Sequence, residues 1–493
     1  MVQGVVIEDG AIVDRNPATG EEIARVPVAT PAEIEAAVAT AKAAQRAWSA
    51  VPLKERCELL KQGCKAISKD VDALAAMMTA EMGKVISESK EELEGAANKD
   101  EMIDLVAAAN ADEVVGEAGG AQSLIVRDAL GVVVVLSPWN FPADEILLLT
   151  VPALAAGNAV IVKPSEVAPL TGKQVVAALE SVLPPGVVQV LQGDGGVGAA
   201  LVASPIQMVA MTGSSAVGKK IMASCSGDLK RLVLELGGKD PMVVFADADL
   251  DKAAEDAVKF SLYNCGQVCC SVERVYIDAS VAEPFAEKVC KIAASYTVGP
   301  GADEASKVGP MVSAMQKEMV ENQVKDAVEA GAKLLYKSDV PNVSENYYPV
   351  TVLGDVAQDL KIMRNETFGP VVSMTPFDGS EEAAVTLAND TEYGLAAYVY
   401  TGDVAGKGKR VAMGIKAGQV GINCYSPFCA HTQCPWAGQK GSGHGYHSGY
   451  DGWRQFSAPK SLVFEGSVPT AGGGGESESG ANLNKRKADA MEA

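Results

Sequence analysis

The sequence predicts an α/β protein with a doubly wound parallel sheet followed by a second α/β domain. Four short apolar runs alternate with helical spacers, over residues 131–136, 159–162, 186–191 and 208–211. Five more follow at 242–245, 274–277, 371–376, 397–400 and 418–422. Apolar strands separated by helices are typical of parallel sheets covered on both faces. The 493 residues also exceed what one hydrophobic core usually supports, so about two to four domains are expected.

Helices are expected before the first of these strands. Thr30 is a capping residue, Pro31 occupies the first helical position, and Glu33 stands where a capping box requires it. Apolar residues then recur at helical spacing, and helical patterns continue to about Ala111. At the other end, residues 467–493 are mostly small and polar, which predicts a disordered tail whose Lys485-Arg486-Lys487 cluster is solvated.

Composition argues against several classes of protein. A total of 63 acidic against 42 basic residues leaves a net charge of −21, which disfavours nucleic acid and anionic membranes as partners. No apolar run is long and unbroken enough to span a bilayer, and the start lacks a secretory or transit pattern, so a cytoplasmic protein is expected. The ten cysteines are sparse, and three of them crowd into 265–270, which favours reduced thiols over a disulfide framework.

A glycine-rich turn follows the fourth predicted strand, from Thr212 to Lys220. Backbone N–H groups at the helix start after such a turn can bind phosphate. The spacing Gly213-x4-Gly218-Lys219 is close to that of a Walker A loop, but Lys220 replaces the Ser or Thr that would hold magnesium. The turn does not match G-x-G-x-x-G either, so an ordinary strand-to-helix turn is about as good an interpretation.

Two further segments carry candidate catalytic groups. Cys269 lies in a thiol cluster beside glycine, where a helix N-terminus or a cation would make it a strong nucleophile, although buried and inert cysteines are commoner. Glu235 stands at the end of an apolar strand, where burial would raise its pKa and suit it to general-base catalysis. The alternative for Glu235 is a salt bridge to Lys239 or Arg231.

Histidine is scarce, which restricts the possible mechanisms. The three histidines all lie within residues 431–447, beside Cys424, Cys429 and Cys434. These residue types can bind zinc, but the Cys-x4-Cys-x4-Cys spacing contains no C-x2-C pair, so no metal site is predicted.

Together these residues resemble the aldehyde dehydrogenase superfamily over residues 16–460. The motifs that carry the resemblance, all in family order, are Pro138-Trp139-Asn140-Phe141-Pro142, Lys163-Pro164-Ser165-Glu166, Thr212-Gly213-Ser214 with Val217-Gly218, Glu235-Leu236-Gly237-Gly238-Lys239, Gly266-Gln267-x-Cys269, Glu366-x-Phe368-Gly369-Pro370 and Gly441-Ser442-Gly443. The resemblance implies oxidation of an aldehyde to a carboxylic acid with hydride transfer to NAD, or to NADP. Cys269 would be the nucleophile, Asn140 and the Cys269 N–H the oxyanion donors, and Glu235 the base that activates water.

The same resemblance implies a set of cofactor-binding residues. Lys163 and Glu166 would bond the adenosine ribose, Ser214 the pyrophosphate, and Glu366 with Phe368 the nicotinamide ribose and ring. The remaining members of the set are Trp139, Ser165, Gly213 and Val217. A carboxylate at Glu166 accepts ribose hydroxyls but repels a 2′-phosphate, so NAD is favoured over NADP.

The resemblance also implies a domain organisation. An NAD-binding domain would comprise 1–106 and 127–237, and a catalytic domain 238–440. Residues 107–126 and 441–466 would form a small β element for oligomerisation, with a hairpin joining the last strand. The active unit would be a homodimer or a homotetramer, and no metal would be required.

Departures from the family pattern leave the subfamily open. Pro435-Trp436-Ala437-Gly438 replaces a frequent Pro-Phe-Gly-Gly, and Gly445-Tyr446-His447 a frequent Gly-Arg-Glu. Cys265, beside Cys269 and Cys270, suggests reversible inactivation through a disulfide under oxidation. Two competing functions are acyl transfer to coenzyme A, which the presence of a base at Glu235 disfavours, and a catalytically silent homologue.

Asp144 and Glu145 bear on the choice of aldehyde. They begin the helix that should line the aldehyde tunnel, at positions where apolar residues are common. An acidic wall would favour a cationic aldehyde. The alternative is that both carboxylates face solvent or pair with a lysine.

Overall fold

The computed structural model describes residues 5–466, apart from the side chain of Glu117. The expected disordered tail over 467–493, with its Lys-Arg-Lys cluster, lies outside the described residues. Across the described range, no helix combines the length and the apolar character needed to cross a bilayer.

The described chain begins with three strands and five helices. They are β1 Val6–Glu8, β2 Ala11–Arg15, β3 Glu22–Pro27, α1 Pro31–Ser49, α2 Leu53–Ile67, α3 Val71–Met82, α4 Ile86–Ala97 and α5 Asp100–Asn110. The predicted capping box is present at α1, because the Thr30 side chain accepts the Glu33 N–H and the Glu33 carboxylate accepts the Thr30 N–H at 2.8 Å. Both N–H groups at the helix start are thereby satisfied.

A hairpin and a series of alternating strands and helices follow. They are β4 Glu113–Ala118, β5 Ala121–Ala129, β6 Val132–Leu136, α6 Asp144–Ala155, β7 Ala159–Lys163, α7 Pro169–Glu180, β8 Val188–Val190, α8 Gly195–Ala203, β9 Met208–Thr212, α9 Ser215–Cys225 and β10 Arg231–Glu235. The four strands predicted in this half of the chain are all present, as β6 to β9.

The rest of the described chain forms a second α/β series and a short closing segment. Its elements are β11 Asp240–Val244, α10 Leu250–Leu262, β12 Val272–Asp278, α11 Ala282–Ala293, α12 Ala314–Glu329, β13 Lys333–Lys337, β14 Thr351–Gly354, α13 Lys361–Arg364, β15 Val371–Phe377, α14 Glu381–Asn389, β16 Ala396–Tyr400, α15 Lys409–Gly414, β17 Gln419–Ile422, α16 Ser426–Cys429, β18 Gly443–His444, α17 Gly449–Trp453 and β19 Ser457–Glu465.

The first large sheet has six strands in the order β18-β10-β9-β6-β7-β8, all parallel except β18. Alternate residues of β6 face opposite layers: Val133 and Val135 pack with α2, α6 and α7, whereas Val132 and Val134 pack with α1, α8 and α9. A strand buried on both faces needs apolar residues at every position, and this is why the apolar run at 131–136 predicts a strand. The predicted doubly wound sheet is confirmed.

The second large sheet has seven strands in the order β13-β14-β15-β12-β11-β16-β17, with only β13 antiparallel. Its core is a separate apolar cluster drawn from β11, β12, β15, β16 and the helices that cover them. All five strands predicted in this half are present, and β13 and β14 extend the sheet. The expected second α/β layer is therefore also confirmed.

The described chain divides into two compact units. The larger holds the residues up to Ala111 and Arg127–Ala458, including both large sheets and the sheet β1-β2-β3. The smaller holds Asp112–Val126 and the residues from Pro459, with the predicted hairpin and last strand in one sheet of order β19-β5-β4. The boundary near Gly237 between cofactor and catalytic domains, and the oligomerisation role of 107–126 and 441–466, stay predictions.

Candidate active site

The six-stranded sheet has a topological switch point between β6 and β9. From β6 the chain moves outward through β7 to β8, and then returns to the opposite side of β6 to form β9 and β10. In open α/β sheets, ligands bind in the crevice outside the carboxyl ends of strands at such a point. A cavity of about 1080 Å³ opens there.

All twelve residues predicted to be catalytic or cofactor-binding line this one cavity. They are Trp139, Asn140, Lys163, Ser165, Glu166, Gly213, Ser214, Val217, Glu235, Cys269, Glu366 and Phe368. The cavity is large enough for a dinucleotide with a small substrate. Their assigned roles stay predictions, but the structure brings together residues that lie up to 229 positions apart in the chain.

The glycine-rich turn joins β9 to α9 at the edge of the cavity. Ser214 caps α9, and its side-chain oxygen accepts the Val217 N–H at 3.4 Å. A Cβ at Gly213 would lie 2.6 Å from the Met211 methyl group, and one at Gly218 would lie 2.8 Å from the Leu236 side chain. Glycine therefore permits both the tight turn and the close packing of α9 on the sheet, and leaves a helix N-terminus facing the cavity.

Lys163 and Glu166 form a pair at the end of β7. The Lys163 ammonium donates to the carbonyls of Pro164 at 2.9 Å and Gly193 at 2.7 Å, and to the Glu166 carboxylate at 3.1 Å. Lys163 is buried, whereas Glu166 is partly exposed to the cavity. The residues present can therefore offer both a cation and a carboxylate to a ribose.

Glu366 and Phe368 approach the cavity from the segment before β15. The Glu366 carboxylate accepts the Gly238 N–H at 3.1 Å, and burial, with the nearby charge of Glu273, raises the pKa of Glu366 to about 8. The Phe368 ring meets Trp139 edge-on, with ring centres 5.6 Å apart. An apolar wall and a carboxyl group thus line the same cavity as Cys269.

The loop that carries Cys269 is held in a strained conformation. Asn264, Cys265 and Gly266 have φ values of +49°, +58° and +71°. Glycine is required at 266, because a Cβ there would lie 2.1 Å from the Gly369 carbonyl oxygen. Two consecutive non-glycine residues with positive φ persist only where their surroundings over-determine them, which is common at functional sites.

Gln267 supplies part of that restraint. Its side-chain amide donates to the Asn264 carbonyl at 3.1 Å and accepts the Val312 N–H at 2.9 Å. The Asn264 N–H is in turn accepted by the Glu88 carboxylate at 3.0 Å. These bonds fix the backbone two residues before Cys269 from both sides.

Asn140 is buried beside this loop. Its carbonyl accepts from the Lys84 ammonium at 2.8 Å and from the Asn264 amide at 3.1 Å, and its own side-chain amide donates to the Gln267 carbonyl at 3.1 Å. Lys84 is also paired with Glu92. One N–H of the Asn140 amide is thus used to hold its orientation, and the amide has a second N–H.

The Cys269 thiol is half-buried, and its surroundings favour the protonated form. A hydrogen bond with Cys270, burial and the charges of Glu235 and Glu145 raise the pKa of Cys269 well above its ordinary value. None of these causes is the cation or helix terminus that sequence analysis invoked to activate a cysteine. The resting group is therefore a thiol that needs a base before it can attack.

Glu235 ends β10, with Thr212 as its partner on β9. It is only 3% exposed, and burial raises its pKa to about 7 against the lowering effect of hydrogen bonds from Trp436 and Cys269. The salt-bridge alternative is wrong: Lys239 bonds Glu273 and Thr367, and Arg231 donates to the Ser457 carbonyl at 2.8 Å. A carboxyl group in contact with the thiol is thus poised to exchange protons near neutral pH.

Asp144 and Glu145 have different surroundings. Asp144 is paired with Lys99, as the less specific interpretation expected. Glu145 instead accepts the Thr212 hydroxyl at 2.9 Å, and burial, followed by the charges of Glu235 and Asp144, raises its pKa well above the ordinary value. Of these two residues, only Glu145 has a carboxyl group that is not paired with a lysine and that acts on the Cys269 thiol.

The remaining thiols and histidines do not form a metal centre in the described part of the chain. No group of three or more His, Cys, Asp or Glu residues there has a suitable arrangement. Cys265 contacts the Met311 sulfur at 3.5 Å, and Cys270 contacts the Tyr425 hydroxyl at 3.1 Å. That the protein needs no metal stays a prediction.

Sequence reasoning missed one residue in direct contact with Glu235. The Trp436 indole N–H donates to the Glu235 carboxylate at 3.1 Å, across 201 residues of chain. The only signal in the sequence was the replacement of a frequent phenylalanine at this position.

Comparison with known proteins places this site in context. The model of the aldehyde dehydrogenase family matches residues 7–462. Betaine aldehyde dehydrogenase of Brucella anthropi is 38% identical over 91% of this chain and 93% of its own length. A probable succinate-semialdehyde dehydrogenase [NADP(+)] of Sinorhizobium fredii is 35% identical over 92% of each chain.

Solved structures of aldehyde dehydrogenases also match this chain. Lactaldehyde dehydrogenase of Escherichia coli matches with a TM-score of 0.88 and 33% identity, over 93% of this chain and 97% of that one. Betaine aldehyde dehydrogenase of Staphylococcus aureus, in complex with NAD+, matches with a TM-score of 0.87 and 29% identity, over 94% and 92%.

Proposed function

The chain belongs to the aldehyde dehydrogenase family, whose members oxidise aldehydes with NAD(P), and we propose that it makes a carboxylic acid through a thioester on Cys269. The observation that carries this proposal is that the Cys269 thiol, the Glu235 carboxyl group and the Asn140 amide line one cavity, where the charge of Glu235 acts on the thiol. Together these groups supply a nucleophile, a base and an oxyanion donor in one cavity.

The first step is addition of the thiol to the aldehyde. Glu235 takes the thiol proton, because the raised pKa of Cys269 leaves little thiolate at rest. The sulfur lone pair forms a bond to the carbonyl carbon, and the carbonyl π electrons move onto oxygen. The second N–H of Asn140 and the Cys269 backbone N–H then hold the oxyanion.

Collapse of the oxyanion re-forms the carbonyl and expels hydride, which leaves a thioester on Cys269. Bound NAD(P) supplies the acceptor for this hydride. Glu235, after releasing the thiol proton, takes a proton from water as the water oxygen attacks the thioester carbon. The second tetrahedral adduct collapses with cleavage of the carbon–sulfur bond, and the acid leaves Cys269 free for another turnover.

NAD is the preferred cofactor in this proposal. Ser214 and the N-terminus of α9 would hold the pyrophosphate, and Lys163 with Glu166 the adenosine ribose. The Glu166 carboxylate, partly exposed to the cavity, would repel a 2′-phosphate. We expect Glu166→Gln to raise kcat/KM with NADP relative to NAD. An unchanged ratio would refute the role given to Glu166.

The charges near Cys269 favour a cationic or neutral aldehyde over a dicarboxylic semialdehyde. The charges of Glu235 and Glu145 both act on the thiol, while the nearby cations Lys84 and Lys99 are already paired with carboxylates. An anionic substrate would therefore be repelled by the ionised Glu235 carboxylate, and neither of these two lysines is unpaired to attract it. Measurement of kcat/KM for an aminoaldehyde, hexanal and succinate semialdehyde tests this proposal. Preference for succinate semialdehyde would contradict it.

Growth of NADH absorbance with propanal tests the reaction itself. Cys269→Ser should abolish the signal, whereas substitution of Cys290, a half-buried cysteine on α11, by serine should leave it unchanged.

Coenzyme A should not accelerate turnover, and the product should be propanoic acid. Formation of propanoyl-coenzyme A as the main product would replace the hydrolytic proposal. Light scattering would test the predicted dimer or tetramer.

A further inference from the structure

The general base proposed above has an unusual neighbour. The Trp436 indole N–H donates to Glu235 Oε1 at 3.1 Å, whereas Glu235 Oε2 is buried and has no hydrogen-bond partner among the described residues. We propose that Trp436 is a positioning residue that orients the Glu235 carboxylate and keeps it ionised at the pH of turnover. This inference rests on the function proposed above, and specifies how its base is controlled.

Both partners of this hydrogen bond are held by one segment of chain. Glu235 on β10 pairs with Gly443 on β18, and the next residue, Leu236, donates its N–H to the Ser442 carbonyl at 2.9 Å. The backbone N–H of Trp436 donates to the His447 carbonyl at 2.8 Å, and the backbone N–H of His447 donates to the Trp436 carbonyl at 3.2 Å. The distance between indole and carboxylate is therefore set by backbone pairing on both sides.

The Trp436 indole is suited to orienting Glu235 because its N–H group donates a hydrogen bond and cannot accept one. An ionised carboxylate only accepts, so an N–H aimed at one oxygen favours the charged form over the acid. A phenyl ring in the same place would fill the space without the N–H. The replacement of a frequent phenylalanine by Trp436 thus adds one specific interaction with Glu235.

The other groups that face Glu235 do not supply this effect. The neighbouring carboxyl groups are Glu145 on α6 and Glu366 before β15, and the charge of Glu235 contributes to the raised pKa of each. Both therefore retain a proton when Glu235 first ionises near pH 7, and neither is a cation. The Cys269 thiol also lowers the pKa of Glu235, but this thiol is consumed by the reaction. Trp436 is the donor that persists after Cys269 becomes a thioester.

The test is the pH dependence of thioester hydrolysis in Trp436→Phe. Stopped-flow separates the NADH burst, which reports thioester formation, from the steady state, which reports hydrolysis. We expect the acid limb of the steady-state rate to move up by about one pH unit, which is about a tenfold loss below the limb. Trp453→Phe is the matched control, because the buried Trp453 indole N–H has no partner within the described range.

The outcomes separate this inference from the function on which it rests. A uniform fall in rate with the acid limb unmoved would mean that Trp436 only fills space, and would overturn the inference. Retention of the limb in Glu235→Gln would instead refute the proposed base. If Trp436→Phe does not fold, Trp436→Leu removes the same N–H with a smaller apolar side chain, and the same shift is expected.

Discussion

Replacement of Glu235 by glutamine tests the proposed proton transfers most directly. Glutamine keeps the shape and one acceptor oxygen but cannot take a proton. Glu235 lines the same cavity as the Cys269 thiol, and its charge is one of the causes that raise the pKa of that thiol. The substitution should therefore slow both thioester formation, because the thiol keeps its proton, and hydrolysis, because water is not activated.

The size of the effect follows from the pKa of Glu235. With a pKa of about 7, Glu235 is about one tenth ionised at pH 6 and about nine tenths at pH 8. A wild-type rate limited by hydrolysis should thus rise about tenfold between these values. Loss of a general base costs roughly 10²- to 10⁴-fold, and the residual rate of the variant should not follow this titration.

Stopped-flow at 340 nm distinguishes the two steps. We expect a slowed NADH burst of one equivalent per active site in Glu235→Gln, followed by a nearly flat trace. Glu180→Gln, an exposed position on α7, is a matched control that should behave as wild type. The reasoning is refuted if Glu235→Gln turns over at the wild-type rate, or if wild-type hydrolysis does not change between pH 6 and pH 8.

Three other predictions follow from named contacts. Asn140→Ala should lower kcat by roughly 10²- to 10³-fold with a small change in KM, because it would remove the buried amide proposed as an oxyanion donor. An unchanged kcat would exclude that role. Treatment with peroxide should abolish activity and dithiothreitol should restore it, with a mass loss of two hydrogens in the peptide that carries the adjacent Cys269 and Cys270. Activity that never returns would contradict reversible disulfide formation. The free energy of unfolding should fall as pH rises toward 8, because burial and the charge of Asp14 raise the pKa of Glu81 to about 8 and the folded chain therefore binds more protons than the unfolded chain. Glu81→Gln should flatten this pH dependence in urea titrations at pH 6 and pH 8.5. An unchanged pH dependence in the variant would show that Glu81 is not its source.

The strands of both large sheets were predictable because their burial is recorded locally. β6, β7 and β9 are buried at every position, and a run of apolar residues is the direct consequence. The start of α1 was predictable for the same reason, since a capping box lies within four residues. β18 consists of two residues that are paired only through β10, and neither residue carries a pattern of its own.

The contacts in the candidate site illustrate the same limit. The residue types and their positions identified Cys269 and Glu235 as candidate catalytic residues, but the sequence could not decide whether Glu235 is a general base or part of a salt bridge. That choice depended on where Lys239 and Arg231 find their partners. Likewise, Asp144 and Glu145 are adjacent in sequence, yet helical geometry directs one to Lys99 and the other to Thr212.

Burial also explains how a chain with only three histidines could perform the acid–base chemistry proposed for it. His447 is 3% exposed, and burial lowers its pKa to about 4, so it is neutral and a poor proton acceptor at pH 7. The same desolvation acts in the opposite direction on Glu235, because its charged form is the basic one, and raises its pKa to about 7. A buried carboxylate thereby titrates where an exposed histidine would. The hydrogen bond from Trp436 opposes that rise and, in the proposed mechanism, would set the lowest pH at which Glu235 accepts a proton from water.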